Sequence, residues 1–467
     1  MRGVRIGLLM LAVVGAGLLA PVGFAAETEP AAEVGSAESD ARFLADFDGN
    51  GFRDLAVGGL GEDVGSAVDA GGVQVIYGSA NGLTAAGNQF WTQDSPGILD
   101  EAETRDLFGL SLAVADFDGD GFSDLAIGAP GEDAGNFENT GGVHVIYGSP
   151  SGLTAAGNQF WTRASPGIVG EAEEFDRFGD SLAAANFGKS THADLAIGVP
   201  EEDTNNLDDT GGVHVIYGSA NGLTGTGSQL WNQNSTGISG GAETGDWFGY
   251  SLAAANFGKS SHADLAIGVP RENAGSTRDS GGVHVVYGSP NGLTAAGSQF
   301  WDQNSTGIFG GAETGDEFGF SLAAANFGKS SHADLAIGVP KEDAGTTTDT
   351  GGVHVIYGSS SGLTGTGSQF WTQNSSGIVD ESEVEDRFGW SLAAANFGRS
   401  SHADLAVSVI FEDLGSSNPD AGGVHVIYGS VNGLTSTGSQ FWTQDSTGIL
   451  DESEPDELFG LSLAGAN

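Results

Sequence analysis

A pattern that returns about every 70 residues decides what this chain can fold into. Phe-Gly pairs begin at Phe108, Phe178, Phe248, Phe318, Phe388 and Phe459, and the string Gly-Gly-Val-x-Val-(Ile/Val)-Tyr-Gly ends at Gly78, Gly148, Gly218, Gly288, Gly358 and Gly429. Each unit reads as a set of short strands. In the unit that opens at Phe108 these are Gly109 to Ala115, Ser123 to Gly128, Gly142 to Tyr147 and Gln159 to Thr162. Val, Ile, Tyr, Phe and Trp fill them, as a pleated, half-buried surface favours. No stretch carries a sustained 3.6-residue apolar stripe, so helix is not expected in the repeats. Four strands per repeat, arrayed radially, make a propeller blade, and the fold class read from the sequence is all-β.

The number of blades turns on the ends of the repeat region. Strands two, three and four are present six times, but the first copy lacks a good strand one: Asp40 and Arg42 stand where the next unit has Leu110 and Leu112. Two charges make a poor buried strand. A surplus strand one, Phe459 to Asn467, ends the sequence. The expectation is a six-bladed propeller closed by this C-terminal strand, which removes an exposed sheet edge. Seven blades is the alternative.

Between strands one and two lies the loop that carries chemistry. In the second unit it reads Asp116-Phe-Asp118-Gly-Asp120-Gly121-Phe122-Ser-Asp124, with acids at positions 1, 3, 5 and 9. Hard oxygen donors at this spacing suit Ca²⁺ better than Zn²⁺. The first unit has Asp46, Asp48, Asn50 and Asp54 in the same places. The later four loops read Asn186-Phe-Gly188-Lys189-Ser190-Thr-His192-Ala-Asp194, with copies from Asn256, Asn326 and Asn396. A single carboxylate remains there beside Lys189, Lys259, Lys329 or Arg399, so no calcium is expected. Either the basic side chain or hydrogen bonds within the turn take the ion's place.

A Phe-Gly start, a D-x-D-x-D-G-x-x-D loop and a Gly-Ala-Pro130 finish resemble the FG-GAP repeat, which builds the N-terminal β-propeller of integrin α chains and occurs in many bacterial secreted proteins. The resemblance covers about residues 43–467. It implies calcium as the cofactor, held by Asp46, Asp48, Asn50, Asp54 and the Phe52 carbonyl in one loop. In the other it implies Asp116, Asp118, Asp120, Asp124 and the Phe122 carbonyl. Integrin propellers have seven blades, which is why that count stays open.

Residues 1–25 read as a secretory signal peptide: Arg2 and Arg5, an apolar run from Ile6 to Leu19, then a small-residue cleavage signal at Gly23-Phe-Ala25. Residues 26–42 read as a disordered linker. No second apolar stretch is long enough to span a bilayer. The mature chain is therefore expected outside the cytoplasm, secreted or at the cell surface, without disulfides because cysteine is absent. A formal charge of −47 repels nucleic acid and favours cations and basic partners. The recurring His144, His214, His284, His354 and His425 read as packing rather than ligands, since each belongs to a separate blade. So do Trp91, Trp161 and their copies. Gly358-Ser-Ser360-Ser-Gly362 matches a nucleophile-elbow string, but its sibling turns do not, and the strand–turn–helix setting is missing. No catalytic residue is expected. The long acidic loops between strands two and three, and the crossovers such as Asp100 to Asp106, share the face opposite the calcium loops. The resemblance implies that this is the ligand-facing side. The functional expectation is adhesion, or protein or glycan binding, by a non-enzyme, with an accessory propeller of a phospholipase-type system or a purely structural surface component as alternatives. The ligand and the oligomeric state are left open.

Overall fold

In a computed structural model of the protein, the described residues are 45–133, 137–415, 418–450 and 452–463. The signal segment and the linker expected at 1–42 lie outside them. Six antiparallel sheets follow one another along the chain as the blades of a β-propeller, with no helix among the described residues. Blade one consists of β1 (Leu55–Gly59), β2 (Gly72–Tyr77) and β3 (Thr84–Trp91). Blade two has four strands: β4 (Leu112–Ala115), β5 (Asp124–Ala129), β6 (Gly142–Tyr147) and β7 (Thr154–Trp161). Blades three to six repeat that order as β8–β11 between Leu182 and Trp231, β12–β15 between Leu252 and Trp301, β16–β19 between Ser321 and Trp371, and β20–β23 between Phe388 and Trp442.

In blades two to five the middle strands are buried on both faces because each blade is sandwiched between two others. All six residues of β5 and of β6 are buried. Alternation then sends neighbouring residues to different partners. Val143, Val145 and Tyr147 join a cluster with Leu195, Ile197 and Ile216 of blade three, while Ile146 packs with Val73 and Val75 of blade one. His144 is stacked on Phe160 at 4.4 Å and meets the Phe108 edge at 5.2 Å. Burial lowers its imidazole to about 3, so it is a neutral packing group, as its recurrence in separate blades implied. Trp161 packs into the same inter-blade cluster as Val143. The outer strand is longer than the sequence pattern showed. β7 starts at Thr154, pairing with Tyr147, and a bulge separates this pair from the ladder that ends at Trp161. Thr-Ala-Ala-Gly carries no apolar alternation, which is why periodicity missed it.

A three-residue clamp fastens blade to blade. The Tyr77 hydroxyl donates to Gln89 Oε1 and accepts the Leu153 N–H of blade two at 3.0 Å, while Gln89 Nε2 donates to the Leu153 carbonyl at 2.9 Å. Tyr147–Leu223, Tyr217–Leu293, Tyr287–Leu363 and Tyr357–Leu434 repeat the contact. Each leucine is 3% exposed.

The junction between blades six and one differs from these five. Leu83, the equivalent leucine of blade one, is 39% exposed, and Tyr428 of blade six bonds its own Gln440. Phe397 is 47% exposed, where its counterpart Phe187 is fully buried. The closure expected of the C-terminal strand is therefore not seen among the described residues. Phe459 donates its N–H to Ala421 and Leu463 to Ser391 Oγ, both in blade six. This is the docking that Phe178 makes on Thr140 ahead of its own blade's inner strand. By the register of β4, the pairing residues of this last strand would be 463–466, of which 464–466 lie outside the described residues. The first sheet accordingly has three strands here, β1-β2-β3.

Replacing Tyr217 by Phe should strand the buried Leu293 N–H and lower stability by about 1–3 kcal/mol. Tyr428→Phe should leave the melting temperature unchanged, because its hydroxyl spans no junction. Equal losses for both variants in a thermal melt would mean that blades six and one are clamped like the rest.

Candidate metal centres and the acidic face

The two acid-rich loops fold around their own backbone. In the first, Asp46 accepts the N–H groups of Asn50 at 3.0 Å and Gly51 at 2.8 Å, and Asp48 accepts that of Asn50 at 3.1 Å. In the second, Asp116 accepts from Gly119 at 2.6 Å and from Asp120 and Gly121 at 3.1 Å. Such bonds aim the acidic side chains inward. Gly49 and Gly119 make the turns possible with φ of 69° and 74°. A Cβ at Gly49 would lie 2.5 Å from the Phe122 ring, and one at Gly119 would lie 2.7 Å from His192, so adjacent loops interlock. One carboxylate oxygen from each of Asp46, Asp48 and Asp54 gathers within 4.8 Å, and the same holds for Asp116, Asp118 and Asp120. These are oxygen-only donor sets, which suit a hard cation.

The ninth residue behaves differently from the other acids. Asp124 is fully buried and accepts the N–H groups of Phe117 at 2.8 Å and Gly148 at 2.9 Å. Asp54 does the same with Phe47 and Gly78. Asp194 repeats both bonds in a loop without the other acids. This aspartate is thus a fastening of the blade first. Asn50 Nδ2 reaches the Gly78 carbonyl at 3.2 Å. Phe52 and Phe122 hold position 7, their N–H groups donating to Asn50 and Asp120.

In the later loops both expected substitutes for an ion occur together. Ser260 Oγ donates to the Gly288 carbonyl at 3.0 Å, and Asn256 bridges to Ser260 and Gly258. Lys259 Nζ lies 3.7 Å from the Tyr287 ring centroid and donates to the Gly297 carbonyl. Lys189, Lys329 and Arg399 cover Tyr217, Tyr357 and Tyr428 in the same way. The cation over the ring is a favourable contact in its own right.

On the opposite face, the loops between strands two and three meet the crossovers. A cleft of about 400 Å³ between blades one and two is lined by Val68, Asp69, Thr104, Arg105, Asp133 and Glu138, among others. Beneath this face a buried polar group closes each of the five junctions. Gln93 of blade one donates to Glu132 of blade two at 2.7 Å beside Asp106. The group recurs as Gln233, Asp246 and Glu272, as Gln303, Asp316 and Glu342, and as Gln373, Asp386 and Glu412. At the remaining junction Arg163 replaces the glutamine. These residues were missed from the sequence because each pair stands 39 positions apart and only the fold brings it together.

A propeller of repeated four-stranded blades, with two acid-rich loops on one face, defines a class of repeat-built scaffolds. The FG-GAP repeat pattern matches residues 108–146. The chain is an FG-GAP repeat propeller resembling that of integrin α chains. It is 29% identical over 234 residues to the phosphatidylinositol-glycan-specific phospholipase D of Dictyostelium discoideum, a match covering 48% of this chain and 24% of that protein. The phospholipase D of the same name from Bos taurus is 32% identical over 157 residues, covering 33% and 18%. Integrin alpha-3 of Mus musculus is 32% identical over 173 residues, covering 36% and 14%. The matched part is thus about a quarter or less of each relative's length.

Burial raises Glu272 to about 8, with the charges of Asp246 and Glu243 adding to the effect, and raises Asp246 to about 7, with those of Glu243 and Asp279 adding. Glu342 is likewise raised to about 7 and Asp316 to about 6. A folded pKa above the unfolded one means that the contribution is complete below about pH 4 and is lost as pH rises through about 6–8. The buried histidines act in the opposite sense, losing stability below about 6.5, where the unfolded chain takes up protons. The paired substitution Glu272→Gln and Glu342→Gln isolates the carboxylates. The fall in melting temperature between pH 5 and 9 should become shallower by differential scanning fluorimetry, and an unchanged slope would show that these groups do not hold protons in the fold.

Proposed function

We propose that the protein is a secreted, calcium-stabilised propeller that acts as an adhesion or protein- or glycan-binding module through its acidic loop face, and is not itself an enzyme. The observation that carries the reading is the gathering of three carboxylates in each of the first two loops, set against loops that have lost them. In this reading Asp46, Asp48, Asn50, Asp54 and the Phe52 carbonyl hold one Ca²⁺. Asp116, Asp118, Asp120, Asp124 and the Phe122 carbonyl hold the other. The ions fix the loop face, and the variable loops above Arg105 and Asp133 meet an extracellular protein or glycan. Nucleic acid is disfavoured by the charge of −47. Export by residues 1–25 places the mature chain outside the cytoplasm or on the cell surface, in keeping with relatives named as integrins. No helix among the described residues is long and apolar enough to cross a membrane. The relatives named as phospholipases support a second reading, in which the chain is the non-catalytic companion of a hydrolase.

Asp48→Ala with Asp118→Ala should remove two bound Ca²⁺ per chain relative to the unaltered protein and lower its melting temperature in calcium buffer. Calorimetric affinities should fall on the order of 10⁻⁴ to 10⁻³ M. On a panel of immobilised extracellular proteins and glycans, binding should fall at least about tenfold, or about 1.4 kcal/mol, on Asp69→Lys with Asp133→Lys. No ligand on the panel, or binding indifferent to these changes, would remove the adhesion reading. An unchanged calcium count would remove the metal.

A further inference from the structure

The repeats are near-identical copies, so an aromatic side chain outside the repeat pattern needs a reason of its own. Trp91 and its copies end the fourth strand of each blade, and Tyr77 and its copies bond the clamp glutamines. The exceptions are Trp247, Trp390 and Tyr250, and all three lie in one place. Tyr250, Phe320 and Trp390 each follow a Phe-Gly pair, where the innermost strands of blades four, five and six begin at β12 (Leu252–Ala255), β16 (Ser321–Ala325) and β20 (Phe388–Ala395).

The rings form one row. Trp247 stacks on Tyr250 with centroids 5.6 Å apart and planes 12° from parallel, Tyr250 meets Phe320 at 5.1 Å, and Phe320 meets Trp390 at 4.5 Å. A guanidinium closes each end. Arg271 lies 3.3 Å from the Trp247 centroid, and Arg387 lies 5.5 Å from that of Trp390 and 4.9 Å from that of Phe411. All these side chains are half-buried, so each keeps some surface toward solvent.

The fold does not require this row. Blades two and three have Leu110 and Asp180 where blades four to six have rings. Apart from that residue, the stretch from Phe178 to Val199 differs from Phe248 to Val269 only in Thr191 against Ser261. The charge here is also unusual for a chain of net −47. Arg177 and Arg387 precede a Phe-Gly pair, and Arg271 and Lys341 stand just beyond a second strand. Arg177 is paired with Asp180 at 2.9 Å and Lys341 with Glu317 at 2.7 Å. Arg271 and Arg387 make no ion pair among the described residues, and Arg387 Nε is buried without a hydrogen-bond partner. A guanidinium lying over a ring keeps its N–H edge for a carboxylate, which it can grip with two parallel bonds. The Tyr250 hydroxyl likewise has no hydrogen-bond partner among the described residues.

Aromatic surface beside a few fixed polar groups suits a sugar residue, whose CH groups pack on ring faces and whose hydroxyls meet the polar edges. The net charge repels a dense polyanion, whereas a single carboxylate answers mainly to charges within a Debye length of about 8 Å. We propose that the row Trp247, Tyr250, Phe320 and Trp390, with Arg271 and Arg387 at its ends, binds a glycan that bears an isolated carboxylated sugar of the uronic or sialic acid kind. The inference rests on the reading that this face meets an extracellular ligand, and it assigns an anion to one place on an otherwise acidic face.

The test titrates the full chain, in calcium buffer at about 0.15 M salt, with methyl glucuronide and sialyllactose and with their neutral counterparts, methyl glucoside and lactose, by ligand-observed NMR. At least one acidic sugar should bind, and its neutral counterpart at least about tenfold more weakly, as loss of a charge-assisted hydrogen bond requires. Which of the two binds separates a uronate from a sialate. Arg271→Glu, Arg387→Leu and Trp390→Leu each install the residue that another blade holds at that place, as Glu201, Leu107 and Leu110 show, so the fold should survive. Each should lower affinity at least about tenfold, and Arg271→Gln replaces the charge reversal should that variant misfold. Asp69→Lys with Asp133→Lys, in the cleft between blades one and two, should leave the affinity within about twofold, as distant sites act independently. Loss of binding there, with none at the arginines, puts the glycan in the cleft and overturns this proposal while sparing the broader reading. Binding of neither acidic sugar, equal binding of the neutral ones, or full displacement by triglutamate, which offers carboxylates without a sugar ring, overturns it as well.

Discussion

The carboxylate of the ninth loop residue accepts two backbone N–H groups in every blade, from a phenylalanine at the end of strand one and from the glycine that ends strand three, as Asp264 does with Phe257 and Gly288. Asp54, Asp124, Asp194, Asp264, Asp334 and Asp404 are all fully buried. The two carboxyl oxygens satisfy donors that a strand end would otherwise leave bare. This bond pair holds the loop mouth at a fixed distance from the neighbouring turn whether the rest of the loop is acidic or not. Positions 1, 3 and 5 are then free to diverge: acids in two repeats, save Asn50 at position 5 of the first, and asparagine, glycine and serine in four.

That division explains how much was visible in the sequence. The blade was legible because strands alternate with period 2 and the whole unit recurs, so Val143, Val145 and Tyr147 could be assigned to one side and His144 to the other before any coordinates. The acid-rich loops were legible because their carboxylates lie within nine residues of each other. What escaped was long-range. Tyr77, Gln89 and Leu153 look unremarkable apart and form one clamp only when two blades meet. Gln93 and Asp106 belong to one crossover and Glu132 to a loop of the next blade, and only burial reveals that their polarity needs an account. The end of the repeat region was hardest, because a Phe-Gly-Leu-Ser-Leu string shows that it can dock as an inner strand but not which sheet edge it meets.

Each junction between blades therefore has an apolar middle and two polar ends of different character. Val, Ile and Trp side chains fill the middle. At the acid-rich-loop end, the first loops interlock by a side chain resting on a glycine, as Phe122 rests on Gly49 and His192 on Gly119. At the other end, carboxylates are packed where water is scarce, and a junction meets that charge either with a guanidinium or with an amide beside two acids. The exchange of glutamine for Arg163 among near-identical repeats thus falls where electrostatics, rather than packing, must be settled.

The clamps join nearest neighbours only, so the molecule behaves energetically as a linear array. Among the described residues an interior blade is held by two such junctions, whereas blades one and six are each held by one, with Leu83 and Phe397 exposed. Opening an end blade breaks half as much contact as opening a middle one. Thermal fraying should begin at the two ends and travel inward, and amide protons of the third and fourth blades should be the last to exchange with solvent.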